Sequence, residues 1–304
     1  MRGRVLHDWL WKATPLRLDR VAAGKEFVRP MSENSPSSLV PVEGLHVLHL
    51  FYRIEHSQWS LFSDSERREW KTNFTRLVQE IRTTDRTQLL TFSIVSPKAD
   101  LGLMLLTPDL HVANAFEKRL ANALGPDVLE PVYSYFSLTE TSEYTTTEEE
   151  YIASLKAERG LEPGADEFEK AMTEFRTRMT KYAKDKLYPN LPAWPVFCFY
   201  PMSKRREGSR NWYSLPFEER KRLMGGHARI GRQWHGKILQ LITGSTGLDD
   251  AEWGVTLFAH DTFHVKGIVY EMRFDTVSAE YSEFGDFYIG LQLPLDELFR
   301  RLQL

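Results

Sequence analysis

The stretch Phe199–Gln240 reads FYPMSKRREGSRNWYSLPFEERKRLMGGHARIGRQWHGKILQ, and it predicts a strand, a helix and a second strand in succession. The first strand begins at Val196 and is rich in aromatic and apolar residues. Successive side chains of a strand point to opposite faces. One face therefore carries Val196, Cys198, Tyr200, Met202 and Lys204. A phenol, a thioether and an ammonium thus share one surface.

The helix predicted at 216–233 directs a histidine inward. Pro216 suits a first turn, and apolar residues recur after it at three- and four-residue spacing. This stripe consists of Phe217, Leu223, Met224, His227, Ile230 and Trp234. In the next strand, at 237–245, Gln240 stands among apolar residues. A buried amide needs a hydrogen-bonding partner or a ligand.

Each of these polar residues also has an ordinary interpretation. A histidine on an apolar helix face is usually a satisfied core residue, and a buried tyrosine usually donates to a backbone carbonyl. Lys204 fits a charged strand end that faces water. Inward polar groups on three consecutive elements, however, indicate a lined cavity, and a tyrosine, a lysine, a histidine and a glutamine together suit a redox pocket around a metal macrocycle.

The order of elements in this region repeats an order found earlier in the chain. Strands at 44–54, 88–96, 101–106 and 130–138 with helices at 64–82 and 108–123 give βαββαβ. The order returns with strands at 196–202, 237–245, 252–259 and 284–292 and helices at 216–233 and 261–273. The predicted fold class is therefore α+β, built from two ferredoxin-like βαββαβ repeats.

This order divides the chain into four segments. Residues 1–42 are basic and then rich in serine and proline, which predicts a mobile N-terminal extension; Trp9 and Trp11 leave open a docking arm for a membrane surface or another enzyme. Residues 43–140 form the N-terminal ferredoxin-like half, and residues 191–304 the C-terminal half. The segment 141–190 between them is a helical insert, either a solvated helix pair or a gate.

Composition places the 304-residue chain among ordinary globular proteins, with 42% hydrophobic and 27% charged residues. A net charge of -3 gives no reason to expect nucleic acid as a partner. The single cysteine, Cys198, excludes an internal disulfide framework. No run approaches the length of a membrane span, so we expect no membrane span and a cytoplasmic location.

Several strings are similar to one family. They are FYPMSKRR, NWYSLPFEER, the H-x-x-I-G-R of 227–232, GKILQLITGS, GLDDAEWGVTLF and YEMRFDTVSAEYSEFGDFYIG. These strings closely resemble the coproheme decarboxylases of the chlorite-dismutase-like haem protein family, almost continuously from Leu187 to Leu291. Upstream, the resemblance is carried by GLHVLHLFYRI, KADLGLMLL and YSYFSLTETSEY. It implies a dimeric α+β barrel with haem in the C-terminal half and a homo-pentameric ring.

The resemblance implies a role for individual residues. His227 matches the proximal histidine that ligates iron, Tyr200 the tyrosine that becomes a radical, and Lys204 the lysine beside the second propionate to be removed. The cofactor-binding matches are the distal Gln240, the propionate-binding Tyr144 and Ser278, Arg273 in a neighbouring segment, and Lys184 or Lys186 where the family has an arginine.

The function implied by the resemblance is oxidative decarboxylation. Hydrogen peroxide would drive loss of two propionates from Fe-coproporphyrin III (coproheme), which is both substrate and cofactor, to give haem b through a Tyr200 radical. The upstream coproporphyrin ferrochelatase is a possible partner. Gln240 disfavours chlorite degradation, because relatives with that activity have an arginine at the distal position. A haem peroxidase or chlorite-degrading relative, and a non-catalytic haem carrier or sensor, remain as alternatives.

The ligand helix departs from the family at Gly225-Gly226, directly before His227. Each glycine inside a helix costs roughly 0.5–1 kcal/mol relative to alanine. We expect a locally loose helix, or a site that backbone or another chain approaches closely.

Overall fold

A computed structural model of the chain describes residues 37–304. The predicted N-terminal extension, residues 1–42, lies almost wholly outside the described residues, and so does the proposed docking arm with Trp9 and Trp11. The described part is one compact unit that begins at Ser38.

The N-terminal half has the βαββαβ order expected from the sequence. Its elements are β1 (His46–Ile54), α1 (His56–Leu61), α2 (Asp64–Thr83), β2 (Gln88–Ile94), β3 (Leu101–Thr107), α3 (Leu110–Ala121) and β4 (Leu129–Thr139). The strands are hydrogen-bonded in the order β4-β1-β3-β2, and every pair is antiparallel. Ser63 caps α2 through a capping box with Glu66, which explains where that helix begins.

The insert between the halves consists of two helices, α4 (Glu148–Arg159) and α5 (Asp166–Leu187). A capping box of Thr147 and Glu150 starts α4, and Gly160 in a left-handed conformation ends it. The two helices bury a small apolar cluster around Leu155 and Phe168.

The C-terminal half repeats the same order with additions. Its elements are β5 (Val196–Lys204), α6 (Phe217–Gln233), β6 (Ile238–Gly244), β7 (Trp253–Ala259), α7 (Thr262–Met272), α8 (Thr276–Tyr281), β8 (Ser282–Phe284), β9 (Tyr288–Gln292) and α9 (Leu295–Arg301). The core strands lie in the order β9-β5-β7-β6. This is the ferredoxin-like order seen in the first half.

The two halves join into a closed barrel. Strand β2 pairs with β9 at one seam, and β4 pairs with β6 at the other. With β5 paired to β7, the eight long strands form a continuous ring. The predicted fold, two ferredoxin-like repeats that form an α+β barrel, is therefore confirmed.

Three apolar layers follow from this closure. The barrel interior holds aromatic residues such as Phe51, Phe197 and Phe199. Helices α2, α3 and α9 cover the outer face of the N-terminal half. The outer face of the C-terminal half, with Cys198 and Tyr200, packs against α7 and the end of α6. Period-two alternation along β5 predicted this separation of side chains correctly.

The end of the chain differs from the sequence prediction. A single strand at 284–292 was expected, whereas β8 ends at Phe284 and β9 begins at Tyr288. Both short strands pair with β5, and the Gly285 N–H between them donates to the carbonyl of Pro201; residues 285–287 belong to neither strand. Helices α1, α8 and α9 were not predicted. Within residues 37–304, no helix is both long and apolar enough to cross a membrane.

Candidate functional site

The candidate site lies on the outer face of the C-terminal half. Gln240 of β6 and Cys198 of β5 are both in register with Leu257 of β7, and Tyr200 is in register with Val255. Neighbouring strands lie about 4.8 Å apart and each residue rises about 3.4 Å, so Tyr200 and Gln240 are separated by roughly 12 Å across the sheet. Val255 and Leu257 form an apolar floor between a phenol and an amide.

Helix α6 brings His227 over this face. Gly231 lies one turn after His227, and a Cβ added there would lie 3.8 Å from the side-chain amide of Gln240. The face of α6 that carries His227 therefore approaches Gln240. No hydrogen bond to the Gln240 side chain forms within the described part of the chain, which leaves its amide free for a ligand.

Asp275 orients the His227 ring. The Nδ1 atom of His227 lies 2.9 Å from Oδ2 of Asp275, which also accepts the N–H groups of Val277 and Ser278 as the N-cap of α8. Burial raises the pKa of Asp275, but the His227 contact and these N–H groups outweigh it, and the net pKa is lowered. An ionised carboxylate only accepts, so Nδ1 is the donor of this bond, and Nε2 is the ring nitrogen that the contact leaves for a ligand.

Tyr200 is buried on the same face. Its ring stacks on Phe287 at a centroid distance of 4.3 Å and lies 5.9 Å from Phe284. Burial raises the pKa of Tyr200 well above its usual value, and the positive charge of Arg273 opposes this rise. Among residues 37–304 the hydroxyl has no hydrogen-bonding partner, unlike an ordinary core tyrosine.

Lys204 ends β5 and is only 7% exposed. Its Nζ donates to Ser282 Oγ at 3.2 Å and lies 4.6 Å from the ring centroid of Trp212. No carboxylate lies within salt-bridge distance of Nζ in the part of the chain that the structure describes. Burial lowers the pKa of Lys204 to about 8, while the charges of Asp275 and Glu252 oppose that effect. A buried ammonium with spare donors is a binding site for an anion.

Three further predicted residues surround this group. The Tyr144 hydroxyl accepts from Arg220 Nε at 3.3 Å, and its ring lies 6.4 Å from Trp212. Ser278 is buried in the first turn of α8 beside Asp275. The Arg273 guanidinium lies 3.8 Å from the ring centroid of Phe284, which Tyr200 also contacts.

Lys184 and Lys186 lie at the end of α5. Lys184 is exposed, whereas Lys186 is partly buried and its pKa is lowered by burial. Neither ammonium makes a salt bridge within residues 37–304. Their assignment to a propionate stays a prediction.

The Gly225-Gly226 step lies inside an unbroken α6. A Cβ added at Gly225 would meet no atom of the described chain within 4 Å, and one at Gly226 would meet only Asp275 Oδ1, at 3.9 Å. Packing within the described chain therefore does not require glycine at either position.

Sequence reasoning missed Asp275, Trp212 and Glu252. Asp275 stands before a short helix as Asp-Thr-Val-Ser, a capping signal that gave no hint of His227, which lies 48 residues away. Trp212 belongs to a 3₁₀ turn with no periodic pattern. Glu252 precedes β7 and is 6% exposed, although nothing in the sequence distinguishes it from a surface carboxylate.

The donor set fits an iron porphyrin. His227 Nε2 would hold the iron, and the apolar floor of Val255 and Leu257 suits a flat macrocycle. Lys204 supplies a buried ammonium that makes no salt bridge within residues 37–304, and Gln240 supplies a neutral amide. Cys198 is not suited to ligation, because burial raises the pKa of its thiol to about 12.

Comparison with known proteins agrees with this architecture. The Chlorite dismutase family model matches residues 67–293. A haem-binding protein from Thermus thermophilus shares 35% identity and a TM-score of 0.72, over 86% of this chain and 96% of that chain.

More distant structures share the fold alone. A double mutant of chlorite dismutase from Candidatus Nitrospira defluvii has 16% identity and a TM-score of 0.65, over 87% of this chain and 98% of that chain. The same enzyme in complex with imidazole has 16% identity and a TM-score of 0.64, over 87% of this chain and 97% of that chain. The family match and the 35% identity together show that the chain belongs to the chlorite dismutase family.

Proposed function

We propose that this protein is a coproheme decarboxylase, which removes two propionate groups from Fe-coproporphyrin III with hydrogen peroxide as oxidant and gives haem b. The observation that carries the proposal is the pair formed by Tyr200 and Lys204 on the outer face of β5. A phenol without a partner in the described chain and a buried ammonium without a carboxylate lie on one face of the same strand, two pleat repeats apart. A substrate carboxylate complements the ammonium.

The stoichiometry is balanced for each propionate. One –CH2–CH2–COO⁻ group, one hydrogen peroxide and one proton give –CH=CH2, carbon dioxide and two water molecules. The propionate loses two electrons and peroxide gains them. The iron porphyrin, when bound, is the redox centre at which peroxide is reduced.

Each residue has a distinct task in this proposal. His227 Nε2 would ligate the iron, with Asp275 holding the ring in the required tautomer. The Tyr200 hydroxyl would lose a hydrogen atom and, as a radical, abstract one from the β-carbon of the propionate. Lys204 would hold the carboxylate by charge, so that this carbon faces Tyr200.

Gln240 favours this reaction over chlorite degradation. A guanidinium can hold chlorite and a departing hypochlorite in the pocket, whereas a neutral amide cannot pair with either anion. Chlorite degradation belongs to distant relatives with 16% identity, which support only the fold. Tyr144, Ser278, Arg273, Lys184 and Lys186 are proposed contacts of the remaining propionates.

Mass spectrometry tests the proposal directly. Iron coproporphyrin III is added to the full chain and hydrogen peroxide is titrated. We expect stepwise loss of two carboxyl groups and a product identical to haem b. Porphyrin binding without loss of mass would favour a haem carrier or sensor, and rapid oxygen release from chlorite would favour a chlorite-degrading enzyme. Light scattering of the same sample measures whether the protein forms the expected homo-pentamer.

A further inference from the structure

We propose that Glu252 is a positioning residue for Lys204, and that it acts by holding residues 205–214 across the lysine ammonium. We call residues 205–214 the strap. The inference rests on the proposed function, in which this ammonium meets a substrate carboxylate.

Glu252 connects the strap to the end of β5. Its Oε2 accepts the backbone N–H of Lys204 at 2.7 Å, and its Oε1 accepts the Tyr213 hydroxyl at 2.7 Å. The Glu252 N–H donates to Ser203 Oγ at 3.2 Å. Glu252 is 6% exposed, and the two bonds that its carboxylate accepts, from Lys204 N–H and from Tyr213, belong to the stronger, charge-assisted class of hydrogen bond.

The strap places an indole over the ammonium. Trp212 is 2% exposed, and its ring centroid lies 4.6 Å from Lys204 Nζ, within cation–π range. The backbone N–H of Trp212 donates to the Arg205 carbonyl, and that of Arg205 donates to the Tyr281 carbonyl, both at 2.9 Å. Arg210 also pairs with Glu280 of α8. The strap is thereby tied down along its length, and Trp212 forms a wall that excludes water from Nζ.

Exclusion of water alone would favour the neutral amine. Burial lowers the pKa of Lys204 to about 8, and Asp275 and Glu252 supply the negative charges that oppose it. The charged and titratable groups on the elements packed against Lys204 are Arg205, Arg206, Glu207, Arg210 and Tyr213 of the strap, Glu252 before β7, and Asp275, Glu280, Tyr281 and Glu283 on and beside α8. Of these, Glu252 alone both bonds the strap and supports the charge of Lys204.

Two variants separate these roles. Glu252→Gln keeps a carbonyl for Lys204 N–H and an amide for the Tyr213 oxygen, but it removes the negative charge. Tyr213→Phe keeps the charge of Glu252 and removes its hydrogen bond to the Tyr213 hydroxyl, so the strap is held less firmly and water reaches the ammonium more readily. Glu297→Gln, at a surface ion-pair site on α9, is the matched control.

The measurement is a binding titration of the full chain with iron coproporphyrin III and with haem b, from pH 6 to pH 9.5. Because haem b lacks two propionates, the ratio of the two dissociation constants isolates their contribution. In the wild type, we expect the preference for coproheme to fall as pH rises and Lys204 loses its proton. Glu252→Gln should move this fall to lower pH by about 0.5 to 1 unit. Tyr213→Phe should move it to higher pH and weaken the preference roughly threefold. Glu297→Gln should behave as wild type.

Opposite shifts cannot result from general loosening of the fold. The role of Glu252 would be overturned if the pH dependence of the preference for coproheme stayed unchanged in both variants, or moved in the same direction in both. If Glu252→Gln does not fold, as judged by circular dichroism, an unmoved profile in Tyr213→Phe still overturns it. If the wild type decarboxylates coproheme but the pH profiles of the two variants match the wild type, the role of Glu252 is wrong and the proposed function is unaffected. A wild type without preference for coproheme overturns both.

Discussion

The Nδ1 atom of His227 lies 2.9 Å from the Oδ2 atom of Asp275, and the same oxygen caps the N-terminus of α8. One carboxylate thus fixes both the imidazole and the helix that carries Ser278. A carboxylate behind an iron-ligating imidazole makes that imidazole a stronger electron donor.

Asp275→Asn should weaken iron–porphyrin binding by about 10- to 100-fold while the protein stays folded. Asparagine caps helices as well as aspartate does, so α8 should remain in place. Titration with haem b measures the affinity, and resonance Raman spectroscopy of the ferrous complex should show a lower iron–histidine stretching frequency. Asp261→Asn is the matched control, because the Asp261 side chain also caps a helix, α7, and makes no bond to an imidazole ring. Equal affinity in Asp275→Asn and wild type would contradict the assignment of His227 as the ligand.

Tyr200→Phe should bind iron coproporphyrin III about as tightly as the wild type and lose decarboxylation to background. The hydroxyl bonds to nothing else in residues 37–304, so its removal should leave the stability almost unchanged. Quantification of haem b by mass spectrometry checks the activity, and Tyr270→Phe, at an exposed tyrosine on α7, is the control. A wild-type yield of haem b from Tyr200→Phe would rule out Tyr200 as the oxidant.

The buried Lys204 should make the stability of the unliganded protein depend on alkaline pH. Its pKa is lowered from 10.5 to about 8, so between these values the unfolded chain holds a proton that the folded chain has released. Stability due to this residue therefore rises with pH across that window. Lys204→Met removes the effect. Relative to the wild type, the variant should lose about 2 to 3 kcal/mol of unfolding free energy between pH 7 and pH 10.

Urea unfolding of both proteins at the two pH values provides this measurement. Lys181→Met, at an exposed position of α5, is the control and should show no such change relative to the wild type. A pH-independent difference for Lys204→Met would mean that the ammonium is hydrated rather than buried.

The sequence predicted the fold well because its signals are local. Alternation along β5 separated Phe197 and Phe199, inside the barrel, from Cys198 and Tyr200 on its outer face. The repeated element order predicted two ferredoxin-like halves. Closure of the barrel at β2–β9 and β4–β6 depends on pairings between distant segments, and it came only from the family resemblance.

The candidate site was harder to predict in full. His227, Tyr200, Lys204 and Gln240 could be selected because each interrupts an apolar pattern. Their partners interrupt nothing: Asp275 looks like a simple helix cap, and Glu252 like a loop residue. Such residues become identifiable only when the chain brings distant segments together.

The barrel interior should make the protein sensitive to acid through His49. This residue is fully buried, its ring stacks on Phe199 at 4.1 Å, and Nε2 lies 2.9 Å from Thr256 Oγ1. Burial lowers the pKa of His49 from 6.5 to about 3. Between these values the unfolded chain binds the extra proton, so stability falls as pH falls.

His49→Leu removes this titration. Relative to the wild type, it should gain about 2 kcal/mol of unfolding free energy between pH 7 and pH 5. Denaturant unfolding at both pH values checks the change, with His235→Gln, an exposed histidine, as control. If the wild type and His49→Leu lose the same unfolding free energy between pH 7 and pH 5, other groups cause the sensitivity to acid.

Gly225 and Gly226 lie inside α6, directly before His227. Gly225→Ala should raise the unfolding free energy of the unliganded protein by about 0.5 to 1 kcal/mol, because the position is helical and an added Cβ meets nothing within 4 Å. Gly267→Ala should have the opposite effect, since its Cβ would lie 2.3 Å from the Trp234 ring. Thermal and denaturant unfolding compare both variants with wild type. If Gly225→Ala is instead neutral or destabilising, a second chain or residues outside 37–304 must approach α6 at this point. A stabilised Gly225→Ala protein that binds haem b less tightly would show that the glycines serve the ligand rather than the fold.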